Sequence, residues 1–199
     1  MSSPRTLPRW LDPSTWAGAL VVTTLFAVPM WVVQIVNDAH NLSFNRFGLT
    51  PRHVDGLWGV LTSPFLHLSY GHLLSETAPF IGVGWVLMLY GLRTWLAVSA
   101  IVLVLGGLAA WLVAPSGLIV GASTVIFGWL GYLLARAYFT RKVREIVTAV
   151  AVLFFFGTLL GSLLPSVDKH TSWQAHVCGF LAGIVAGAAL HPRSQKRSV

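Results

Sequence analysis

Charge is what this sequence has least of. Only 10% of its 199 residues are Asp, Glu, Lys or Arg, six acidic against thirteen basic, while 55% are apolar. So few charges cannot coat a body of this size in water, and a mean hydropathy of +0.73 points to a membrane protein. The single cysteine, Cys178, excludes an intrachain disulfide. There is no His-Glu-x-x-His helix, so a metal enzyme built from His67, His72, Glu76 and His176 stands only as a minor alternative, and neither metal nor cofactor is expected. The first apolar run carries Pro29 and lacks a small-residue cleavage site, so it reads as a retained span and not as a cleaved signal peptide.

What is present is a set of six apolar stretches, 16–36, 72–90, 94–114, 121–139, 143–164 and 172–190, each long enough or nearly so to cross about 30 Å of hydrocarbon. The expected architecture is an all-α bundle of six transmembrane helices. It divides into a cytoplasmic leader (1–15), one membrane domain (16–190) and a basic cytoplasmic tail (191–199). With both termini in the cytoplasm, Arg5, Arg9, Arg93, Arg136, Arg141, Lys142, Arg144, Arg193, Lys196 and Arg197 lie inside, leaving Arg46, Arg52 and Lys169 outside. That asymmetry sets the orientation. The formal charge of +7 is then a topology signal and an attraction to anionic lipid, not a nucleic-acid interface. The oligomeric state is not legible.

The outer segment 37–71 mixes His40, Asn41, Asn45, Arg46, Arg52, His53 and Asp55 with Leu57, Trp58, Val60, Leu61, Phe65 and Leu66. Such a segment suits a partly embedded interfacial structure, with Trp58 and Tyr70 at head-group depth. Span two opens on His67, His72 and Glu76. His72 and Glu76 are four apart and share a helix face, and an ionisable group inside a span marks function unless it only locks helices together.

After span three, Pro115-Ser116-Gly117 breaks the helix, and an apolar lead-in delivers Gly121-Ala122-Ser123-Thr124. Non-helical chain at that depth must be buried by protein or line a wet cavity. A helix starting near Ser123 would aim free N–H groups and a positive dipole end at a reacting centre; the same small residues also serve close packing. Phe127 lies one turn on. Span six offers His176 beside Gly179, Gly183 and Gly187, a seam that lets helices meet closely. Ser123 and His176 thus reach one depth, where the imidazole can take the serine proton and return it to a leaving amine; a lone histidine in a span is otherwise an interhelical hydrogen bonder. Cys178 points elsewhere and reads as packing.

In this order the motifs resemble those of the rhomboid intramembrane serine proteases, over roughly residues 58–187. Ser123 resembles the family nucleophile, and His176, Gly179 and Gly183 match its His-x-x-Gly-x-x-x-Gly. The resemblance implies a Ser123–His176 dyad, Phe127 packed on the histidine, and His72, Glu76 and Ala122 on the oxyanion and substrate side. It also implies single-span membrane proteins as substrates and an active site opening outside the plasma membrane. Three positions depart from the pattern: Thr124 for a glycine, Glu76 for an asparagine donor, and Gly59 for the arginine after Trp58. Glu76 is expected to be protonated by burial and to donate to the oxyanion. The other reading is a weakly active or inactive relative that binds membrane-protein clients.

Overall fold

The computed structural model describes residues 11–165 and 172–190; most of the expected leader, the tail at 191–199 and Lys169 lie outside them. Six main helices follow one another: α1 (Trp16–Ala39), α2 (Tyr70–Met88), α3 (Leu92–Val113), α4 (Ser123–Thr140), α5 (Val143–Leu163, its end wound as 3-10) and α6 (Trp173–Ala189). Of these, α1, α3 and α5 are long and apolar enough to cross a membrane, and α6 is a shorter apolar helix. With large apolar side chains such as Phe154, Phe155 and Val143 exposed around the bundle, the chain is an integral membrane protein.

Each helix start has a local cause. Thr15 caps α1 by accepting the Gly18 N–H at 3.0 Å, and Ser69 caps α2 by accepting that of His72 at 3.1 Å; both satisfy a donor that the helix itself cannot. Along α1 the buried positions are Ala19, Thr23, Ala27, Met30, Gln34 and Asn37, the three-and-four spacing of one helix face. This face extends three residues past the expected end of the span, because Gln34 and Asn37 turn inward. Asn37 Nδ2 donates to Asn45 Oδ1 at 2.9 Å, tying α1 to the outer segment.

The central element is α4, with eleven of its eighteen residues buried, whereas α5 buries only Glu145, Ala149 and Val152 of its α-helical part. In lipid no hydrophobic drive holds helices together, so close packing must. Gly131, Gly179 and Gly183 provide it: a Cβ at any of them would come within 2.2 Å of a backbone oxygen of the facing helix. On its other side α4 meets a π turn in α3 (Val102–Gly106), where Val102 fits against Gly128 and Gly106 against Gly179.

The basic run around 136–144 does more than anchor topology. Arg136 Nε lies 3.3 Å from Glu145 Oε2, the Tyr90 hydroxyl donates to the same carboxylate, and the Arg136 guanidinium stands 4.3 Å over the Tyr90 ring. Glu145 is only 3% exposed. Glu145 is thus a second buried acid within an expected span, besides Glu76. An acid amid four basic residues at a helix start was the available signal, and it was outweighed by the charge count.

Candidate active site

The lead-in to α4 is non-helical, exposed from Pro115 to Leu118 and buried from Val120 to Ala122, and the outer segment meets part of its backbone. Leu49 and Ile119 exchange two N–H···O bonds at 2.9 Å, and Gly121 N–H donates to the Ser63 carbonyl at 2.8 Å. Buried peptide groups require such partners. The outer segment is therefore a set of short helical turns from Ser43 to Phe65 that lays its own carbonyls against the lead-in. Gly121 has φ +113°, a conformation that suits glycine, and a side chain there would strike the Glu76 carboxylate. The helix therefore begins two residues later than the apolar run, at Ser123.

Ser123 is the first residue of α4 and has no side-chain cap before it. Its N–H and that of Thr124 have no acceptor within the helix, as at any N-terminus, while Val125 and Ile126 already bond back to Ala122. Ser123, Phe127, His72, Glu76, Ser162 and His176 all line one cavity of about 610 Å³. The helix dipole adds positive potential at its serine end.

His176 is 8% exposed, and its ring stacks on Phe127 with centroids 4.4 Å apart and planes 23° from parallel. Its Nδ1 lies 3.0 Å from the Ser162 carbonyl. A carbonyl can only accept, so Nδ1 carries the proton and Nε2 of the neutral ring keeps the lone pair that a base needs. Ser123 and His176 share the cavity, and among the described residues no hydrogen bond joins Ser123 Oγ to His176. Ser162 had no signal in the sequence, because a backbone carbonyl has no residue identity.

Thr124 does not crowd the serine. Its methyl group faces Gly106 of α3 and its carbonyl faces Gly179, so Gly106 leaves room for the added bulk. Cys178 packs with Ala110 and Ala175, as its spacing implied.

The opposite wall is built around Glu76. Glu76 Oε2 accepts the Ala122 N–H at 2.6 Å and lies 3.2 Å from His67 Nε2. Oε1 lies 3.0 Å from His72 Nε2. Both oxygens thus have protein partners, and Oε2 accepts from Ala122. Ala122 spends its N–H on Glu76, which leaves the N–H groups of Ser123 and Thr124 as the backbone donors at the start of α4. The buried His67 is tied to the outer segment by Asn45, whose Nδ2 donates to the His67 carbonyl at 3.2 Å.

Comparison with known proteins gives the family. The Rhomboid domain model matches residues 54–193. An uncharacterized protein of Mycobacterium tuberculosis is 34% identical over 197 residues, covering 95% of this chain and 80% of its own length. Rhomboid protease GluP of Bacillus subtilis is 31% identical over 136 residues, 67% of this chain and 26% of that protein. Rhomboid-like protease 3 of Toxoplasma gondii is 25% identical over 212 residues, 92% of this chain and 74% of that one. With a domain match over most of its length, laid on helices that carry a serine and a histidine into one cavity, this chain belongs to the rhomboid family.

Proposed function

We propose that this chain is an intramembrane serine endopeptidase that cuts membrane-spanning segments of other proteins with Ser123 and His176. The observation that carries the reading is the histidine: stacked on Phe127 and donating from Nδ1 to Ser162, it offers Nε2 as a base to the cavity that Ser123 lines.

In the reaction Ser123 Oγ attacks the scissile carbonyl carbon as its proton passes to His176 Nε2. The carbonyl oxygen becomes an oxyanion, held by the Ser123 N–H and the positive end of α4. When the tetrahedral centre collapses, the C–N bond breaks and His176 returns the proton to the departing amine. Water, deprotonated by the same nitrogen, then attacks the acyl ester and frees Ser123. No third acid is needed, because the Ser162 carbonyl fixes the tautomer.

A fluorophosphonate should label Ser123 in the reconstituted protein. Labelling should vanish in Ser123→Ala and weaken strongly in His176→Ala, since an unassisted serine is a poor nucleophile. A folded wild-type protein that is never labelled and never cuts a transmembrane substrate would leave the client-binding role in its place.

In this reading all six helices span the plasma membrane, with both termini in the cytoplasm and the cavity opening to the outer face. Reporter fusions after Tyr138 and at the C-terminus should then respond as cytoplasmic, and fusions near Arg52 or Lys169 as external. An external C-terminus would remove the shared depth of Ser123 and His176.

A further inference from the structure

Glu76 is 7% exposed and is met from three directions. The Ala122 N–H comes from the lead-in to α4, His72 from its own helix one turn back, and His67 from the outer segment, at 2.6, 3.0 and 3.2 Å. A backbone N–H can only donate, so Oε2 acts as an acceptor. Below this corner the chain continues without a break into α1, through Asn45 on the His67 carbonyl and Asn37 on Asn45.

We infer that Glu76 is an ionised positioning residue: its carboxylate accepts from Ala122, His67 and His72 at once and so fixes the peptide immediately before Ser123. A carboxylate has room for this, with about four lone-pair sites. An amide of the same shape does not. Its one oxygen cannot serve both sides of the group, so its NH₂ faces either the Ala122 N–H, donor against donor, or a histidine that must move its proton to a buried Nδ1 with no partner among the described residues. Glu76→Gln is therefore not a conservative change in this chain.

The arrangement also assigns the proton on each ring. With Nε2–H directed at Glu76, neutral His67 and His72 keep their lone pairs on Nδ1. Both Nδ1 atoms are buried, and neither has a hydrogen-bond partner among the described residues.

The catalytic consequence rests on the protease reading; the hydrogen-bond arrangement does not. Nitrogen-15 spectra of histidine-labelled protein in bilayers, assigned with single His variants, should show Nε2–H on both His67 and His72. In Glu76→Gln at least one of them should change tautomer. For cleavage of a transmembrane substrate, Glu76→Gln should lower kcat by about 10²-fold with little change in KM, the class of loss that follows from about 1 Å of misplacement. Glu76→Asp, which keeps the carboxylate, should recover part of it, with thermal unfolding followed for each variant. Wild-type spectra with a bare, unprotonated Nε2 on either ring overturn the inference even if every variant fails to fold. So does a folded Glu76→Gln with wild-type kcat. If wild-type Ser123 is never labelled but the tautomers behave as stated, the protease reading fails and the three-way acceptor stands.

Discussion

His176→Ala should lower kcat for cleavage of a reconstituted transmembrane substrate by about 10⁴-fold or more, and Ser123→Ala should do the same. The two losses should not add. A nucleophile and its base act as one unit, so the double variant should be no worse than the weaker single one. Packing and chemistry can be separated by comparing stabilities. Ser123 makes no side-chain hydrogen bond among the described residues, so Ser123→Ala should leave the unfolding temperature in detergent unchanged. His176→Ala removes the bond to Ser162 and the stack on Phe127, and should lower it. Multiplicative losses in the double variant would mean that the two side chains act independently, and the dyad would be abandoned.

Gly183→Ala should be the most destabilising single methyl in the α4–α6 seam. Its Cβ would lie 1.9 Å from the Gly128 oxygen, that of Gly179 2.1 Å from the Thr124 oxygen, and that of Gly187 2.7 Å from the Ala135 Cβ. At Gly183 and Gly179 the obstacle is backbone, which cannot rotate aside. The helices must part by roughly 1 Å or more, and overpacking of this kind costs about 1–3 kcal/mol. Activity should suffer further, because Ser123 and His176 stand on opposite sides of this seam and such a displacement costs about 10²-fold in rate. Thermal unfolding of the three alanine variants should rank Gly183 and Gly179 well below Gly187. Equal stability of all three would show that the seam is looser than these distances.

Much of the fold was legible because span length and apolarity are local. The expected 16–36, 72–90, 94–114, 121–139, 143–164 and 172–190 each coincide with one main helix, displaced at most three residues at either end. The misplacements have physical causes. Helix α1 ran on to Ala39 because Gln34 and Asn37 face inward, and polar residues at the end of a span look the same whether they meet water or protein. Helix α4 began at Ser123 because Gly121 is held in a non-helical conformation by the Ser63 carbonyl.

Residue types alone marked Ser123, His176, Phe127, His72 and Glu76, since a hydroxyl, an imidazole and a carboxyl are costly in an apolar chain and invite explanation. The direction in which those groups donate and accept was decided elsewhere. Whether Glu76 gives or receives a proton depends on an Ala122 N–H 46 positions away. The tautomer of His176 depends on a carbonyl at Ser162. By itself the sequence determined a membrane-embedded helical chain and the chemical groups within it, because transfer into lipid is set by runs of neighbouring side chains. Only the tertiary structure decided how those groups pair. A hydrogen bond takes its sense from the atoms opposite, and here these are backbone N–H and C=O groups that every residue carries alike and that no sequence pattern distinguishes.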